Sequence, residues 1–147
     1  MLQDYTVGIS VFILTVIIAL AVVPQFITPF QSSVGSDALS QSAGVARSMV
    51  ENLSVDGRGN EFNVTALEGV MGQSEDELRT RYGLPATANV NLTVETMASG
   101  SVVTSSGGTA LASEPPYGGG EAATTARIVT LSDGSCPTAC RLVVRVW

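Results

Sequence analysis

The sequence predicts an α+β chain in which a long N-terminal α-helix, hydrophobic at first and amphipathic further on, carries a small C-terminal antiparallel β-sheet head with short helices. Three observations lead there. Residues 1 to 30, MLQDYTVGISVFILTVIIALAVVPQFITPF, contain no ionisable side chain besides Asp4 and Tyr5. From Val34 to Leu53 apolar residues recur at helical spacing, and after Pro85 the apolar period shortens to two.

The first stretch is too apolar for the surface of a globular domain and is expected to lie in a bilayer or in a bundle of its own kind. As a helix, residues 5 to 30 would rise about 39 Å at 1.5 Å per residue, enough for a transmembrane helix with some tilt. A secretory signal would show a shorter apolar core, a basic start and a small-residue cleavage site, and none of these is present. No Lys or Arg precedes the stretch, where cytoplasmic basic residues normally hold such a helix, so a basic leader ahead of Met1 is expected to have been removed. Pro24 and Pro29 each lack an N–H and clash with the carbonyl four residues back, which predicts a kink between about Leu20 and Phe30.

Beyond the kink, Val34, Ala38, Leu39, Val45, Ala46, Met49, Val50 and Leu53 form an apolar stripe, with Ser36, Asp37, Gln41, Ser48 and Glu51 among the polar residues between them. The helix is expected to continue to Leu53 and to stop in the turn-rich Ser-Val-Asp-Gly-Arg-Gly-Asn that follows. Residues 1 to 53 are thus read as the helical part and 54 to 147 as the head.

The head opens with two short helical candidates. Thr65-Ala-Leu-Glu68 and Ser74-Glu-Asp-Glu77 both have capping-box spacing, and Glu75 with Arg79 and Glu77 with Arg81 stand four apart. The acidic run Glu75, Asp76, Glu77 falls in a first helical turn, where it complements the helix dipole rather than binding a cation. Asn89 to Met97 then alternates, with Val90, Leu92 and Val94 on one face and Asn91, Thr93 and Glu95 on the other. Residues 99 to 120 are rich in Ser, Gly and Pro and read as loop, apart from a short strand at Val102 to Thr104; residues 98 to 122 are where exposed contacts are expected. Ala123 to Leu131 and Ala139 to Trp147 form a β-hairpin. The sheet has three or four antiparallel strands, with the amphipathic half of the helix over its apolar face.

Composition removes several function classes. The 147 residues carry a formal charge of −6, with seven Arg, no Lys and no His. So few cations exclude a nucleic-acid binder, and an acidic surface without Lys points to a salt-adapted host. There is no metal-ligand cluster, no phosphate-binding Gly-rich loop and no nucleophile elbow. A carboxylate-only hydrolase stays formally open, but the chain is read as non-enzymatic, with no catalytic residue, no metal, no cofactor and no small-molecule substrate.

Cys136 and Cys140 lack the further ligands a zinc site needs, and their spacing is longer than that of a redox pair, so they read as a structural disulfide of an extracellular domain. Closing so short a ring contributes about 2 kcal/mol in the chain-entropy model, enough to pin a turn. Three sequons, Asn52-Leu-Ser, Asn63-Val-Thr and Asn91-Leu-Thr, fit a surface glycoprotein or are turn and strand residues only. Asp4 has two readings: buried in apolar surroundings beside an α-amino group, its own or a neighbouring copy's, or at a surface, capping the helix.

The hydrophobic helix with a lone acid near its start, the amphipathic continuation and the β-rich head together resemble a type IV pilin. More narrowly, Gln3-Asp-Tyr-Thr-Val-Gly-Ile9, the run into Val23-Pro24, and Ala126-Arg-Ile-Val-Thr with Arg141-Leu-Val-Val-Arg-Val-Trp147 resemble pilin-like proteins of halophilic archaea. The resemblance implies cleavage of a leader by a prepilin peptidase, a stay in the membrane, and extraction by a pilus assembly machinery into an extracellular helical homopolymer used for adhesion. It also implies a polymerisation helix formed by Asp4, Tyr5, Val7, Gly8, Val11, Phe12, Leu14, Ile17, Ile18, Ala21, Pro24, Phe26 and Pro29. Gly8, Ser10, Ala19 and Ala21 would let helices approach closely. The alternative is a single-pass membrane-anchored surface binding protein, or a minor pseudopilin that stays out of the filament.

Overall fold

The computed structural model describes residues 2–27, 35–56, 58–136 and 138–147; within the first of these ranges, side chains are described for residues 6–19. The chain divides into two compact units, Met1–Ser33 and Val34–Trp147. The first contains α1 (Leu2–Ile27). Its backbone is helical through Pro24, while Pro29 lies outside the described residues.

Two expectations about this half of the chain are corrected. A single long hydrophobic-to-amphipathic helix over residues 1–53 does not form: α2 (Ser36–Leu53) is a separate helix in the second unit. It starts afresh at Gly35, whose ψ of 144° is extended, and whose carbonyl accepts the first helical bonds from Ala38 and Leu39. Glycine costs about 1 kcal/mol in a helix interior relative to alanine, and Ser36 and Asp37 suit a first turn, so a new helix begins where the apolar stripe alone reads as continuous. The expected transmembrane helix is also overturned. Among the described residues no helix is long and apolar enough to cross a membrane.

The second unit is α2 followed by β1 (Ser54–Val55), β2 (Arg58–Phe62), α3 (Val64–Met71), α4 (Glu75–Tyr82), β3 (Val90–Thr96), β4 (Ala123–Leu131) and β5 (Cys140–Val146). The sheet order is β1-β2-β4-β5-β3. The head is therefore five-stranded and mixed, where three or four antiparallel strands were expected. β2 runs parallel to β4, with Glu61 opposite Thr130 and Phe62 opposite Leu131; the other pairs are antiparallel. β5 is central to the ladder, its residues Cys140 to Val146 paired with β3 on one side and β4 on the other. Val, Leu and Cys fill its buried positions, as suits a strand covered on both faces.

α2 lays Val45, Ala46, Met49 and Leu53, spaced three and four apart, on one face of the sheet, where they join Val90, Leu92, Val94, Val129, Leu142 and Val144. Leu67, Val70 and Met71 of α3 and Leu78 of α4 complete this core. The helix caps explain both short helices. α3 begins two residues before the expected box: Asn63 is its N-cap and accepts from Ala66 N. α4 has the expected capping box between Ser74 and Glu77, and ends on Gly83 in the left-handed region (φ 65°). Glu77 is held by that box, and Arg79 binds Glu75 at 2.9 Å.

The polar face of β3 is not solvated. Asn91, Thr93 and Glu95 are all buried, and the segment from Ser101 to Ser113, expected to be loop apart from a short strand at Val102 to Thr104, packs along the outer edge of β3, with Val102 bridged to Glu95 and Thr104 to Ala110. Val103 N donates to Val94 O, Val94 N to Leu111 O, and Leu92 N to the Ser113 hydroxyl. Beneath this cover Glu95 accepts from both Arg141 (2.8 Å) and Arg145 (2.8 Å), Thr93 donates to Glu95, and Arg145 donates to Thr93. Arg145 also lies over the Tyr117 ring, which meets Trp147 edge-on at 5.1 Å. Burial pushes the Glu95 carboxyl up, but the hydrogen bonds from Arg145, Arg141 and Thr93 outweigh it and hold its pKa below the ordinary value.

A second clasp ties the same segment to the β4–β5 turn. Asp133 accepts from Ser106 N and from Ser135, and although burial raises its pKa these bonds lower it from 3.8 to about 2. Cys136 and Cys140 form a disulfide in this turn.

Two outcomes follow for the head. Both carboxyls are depressed in the fold, so their stabilisation is complete above the unfolded carboxyl range and is lost as pH falls through the folded values. Thermal midpoints should therefore fall from about pH 4 towards pH 2, and Asp133→Asn should flatten that decline. Glu95→Gln should cost about 1–3 kcal/mol in urea unfolding at pH 7, because two partly covered guanidinium groups lose their anion.

Candidate functional site

The surface of α1 is the feature of the described structure that most needs a partner. Val11, Phe12, Ile13 and Leu14 are 58%, 69%, 50% and 59% exposed. Consecutive helical residues project about 100° apart, so these four cover every direction around the axis. Val7, Ile9, Val16, Ile17 and Ile18 extend the apolar surface along the helix. A helix apolar all round is a buried helix, and among the described residues nothing buries this one.

The polar atoms of the segment are already satisfied. Ser10 Oγ donates to Thr6 O at 2.8 Å and Thr15 Oγ1 to Val11 O at 2.8 Å, each one turn back. Both hydroxyls can enter apolar surroundings without leaving a donor unmade. A Cβ added at Gly8 would meet nothing within 4 Å, so no neighbour within the chain requires glycine there. The described side chains of this helix are suited to packing.

Of the sequence-predicted polymerisation residues, Val7, Gly8, Val11, Phe12, Leu14, Ile17 and Ile18 are therefore exposed on one helix. Asp4, Tyr5, Ala21, Pro24 and Phe26 share the same helical backbone, but their side chains lie outside those described, and Pro29 lies outside the described residues altogether. The sequence reading missed the role of Thr15, whose signal was available: a Thr inside an apolar helix bonds back to the preceding turn.

In the head, the disulfide and the sequons are placed as follows. Cys136–Cys140 closes the β4–β5 turn. Asn52 is exposed on the last turn of α2, Asn63 is exposed between β2 and α3, and Asn91 is buried under the Ser101–Ser113 segment with its Nδ2 donating to Ser113 O and Pro115 O. A glycan on Asn91 is incompatible with the folded head. Among the described residues no group of His, Cys, Asp or Glu could hold a metal ion. Glu95, the buried acid of the outer face, has its oxygens occupied by Arg141, Arg145 and Thr93 and offers no free base.

No curated protein and no solved structure matches the chain. The matching family model has no activity attached to its description, so the resemblance to pilins and the adhesive role it implies gain nothing from it. That model covers residues 1–147, the full length, and the chain belongs to the family of unknown function DUF7287.

Proposed function

We propose that this chain is the structural subunit of an extracellular, type IV pilus-like filament, in which α1 of each copy is buried against α1 of its neighbours. The observation that carries the reading is the apolar surface of α1, exposed in all four directions at Val11, Phe12, Ile13 and Leu14. Many copies packed side by side cover such a surface on every side, whereas a single docked partner covers one face. Identical helices also suit a homopolymer, since a head-to-tail contact, in which one side of a helix meets a different side of its neighbour, repeats into an open helical filament.

Two further features support it. The back-bonded hydroxyls of Ser10 and Thr15 suit an interior without water, and the open space at Gly8 suits close approach of another helix. The disulfide Cys136–Cys140 fits an oxidising, extracellular setting. The partner is the chain itself; no nucleic acid and no small molecule is part of the reading.

Material sheared from the surface of the producing cells should contain filaments that carry this chain, seen by electron microscopy and identified by peptide mass spectrometry. Filaments that lack the chain would sink the proposal. Phe12→Asp should abolish assembly, since an unpaired carboxylate buried among apolar helices costs several kcal/mol, while the head keeps its thermal midpoint. Gly8→Leu should thin or eliminate filaments in the same assay, again without a change in the head.

A further inference from the structure

We infer that Asn63 is an N-glycosylation site, and that of the three sequons it is the one the folded head leaves open to an oligosaccharide. The three differ in what their amide nitrogen and their hydroxyl are doing. Asn63 sits at the junction of β2 and α3 with its backbone fixed at both ends: its N–H donates to Leu53 O at 2.9 Å and its carbonyl accepts from Leu67 N at 3.0 Å. Its side chain caps α3 through Oδ1 alone, accepting from Ala66 N at 3.2 Å. That bond uses the amide oxygen and leaves both Nδ2 hydrogens without a partner among the described residues. Thr65, two residues on, is exposed, and its hydroxyl likewise has no bond among the described residues.

The other two sequons are closed. Asn52 spends its Nδ2 on Ser48, donating to the carbonyl at 2.7 Å and to Oγ at 3.1 Å, and the hydroxyl of its Ser54 donates to Gly59 O at 2.9 Å. Asn91 is buried, with Nδ2 donating to two carbonyls, and the hydroxyl of its Thr93 is held between Arg145 and Glu95. A transferase acting on the folded head has one acceptor whose nitrogen and hydroxyl are both free.

The donor is an oligosaccharide activated as a glycosyl phosphate ester. Asn63 Nδ2 attacks the anomeric carbon, the N–C bond forms, the C–O bond to phosphate breaks, and the phosphate leaves with that electron pair. The Nδ2 proton passes to a base of the transferase. The cap survives the reaction, because Oδ1 keeps its bond to Ala66 N. The inference rests on the extracellular reading only in that the sugar is added to exported chains.

The Arg-only cation content makes the test direct. Trypsin separates the sequons into Ser48–Arg58, Gly59–Arg79 and Tyr82–Arg127. In chain purified from its own host, Gly59–Arg79 should carry a ladder of sugar masses by mass spectrometry and the other two peptides should not. Thr65→Ala should remove the ladder and Thr65→Ser should retain it, and both variants keep Asn63 as the cap, so the thermal midpoint of the head stays where it was. A Gly59–Arg79 peptide without sugar, or sugar on either of the other peptides, overturns the inference. Intact filaments and an oxidised Cys136–Cys140 pair found alongside an unmodified Asn63 would overturn it while leaving the filament proposal standing.

Discussion

Apolar side chains that leave a helix in every direction have to be covered by other chains or by lipid, because no single packed face can hide them. That constraint governs the N-terminal unit. Val11, Phe12, Ile13 and Leu14 are 58%, 69%, 50% and 59% exposed, so covering each recovers roughly half to two-thirds of the ~1.5–3 kcal/mol that full burial of such a side chain is worth, and Ile9, Val16, Ile17 and Ile18 add to it. An isolated α1 therefore carries a strong drive to associate, and the internal bonds of Ser10 and Thr15 remove the polar cost that would oppose it.

The head follows a different plan. β5 supplies the middle of the sheet, α2, α3 and α4 pack on its apolar face together with Val103 and Leu111, and the Ser101–Ser113 segment runs along the outer edge of β3. With both faces of β3 covered, the sheet can carry a buried carboxylate only because two guanidinium groups and a hydroxyl meet it there. The ion cluster is as much a consequence of the cover as a support for it. Buried charge of this kind fixes which side chains face each other more than it adds net stability.

How far the sequence reveals this arrangement differs from element to element. The capping box at Ser74 and Glu77, the β4–β5 hairpin and the end of α2 at Leu53 are set by neighbouring residues, and local spacing predicts them. What it does not predict was decided at long range. Alternation separates Val90, Leu92 and Val94 from Asn91, Thr93 and Glu95, but period two does not say which face is wet. That depends on Leu111 and Ser113, about twenty residues downstream, in a Ser/Gly-rich stretch with no strand signature. β2 is short and contains Gly59 and Asn60, poor strand formers; it is held as a strand by the adjacent β1 and, at Glu61 and Phe62, by β4 some seventy residues later. The break at Gly35 was locally legible and was masked by the apolar stripe around it. The candidate site divides in the same way: composition announces the apolar helix, Asn52 and Asn63 are engaged by neighbours within one turn, and the state of Asn91 depends on the distant carbonyls of Ser113 and Pro115.

The cover over β3 has one more effect. A strand at the rim of a sheet is a template for any other strand that comes near, and crowded identical domains are the setting in which such rims fuse. Here the rim of β3 is occupied by the chain's own Val103, Leu111 and Ser113. Heads brought close together along an assembled polymer would find that row of amides and carbonyls already engaged, so crowding does not lead to amyloid-like pairing through it.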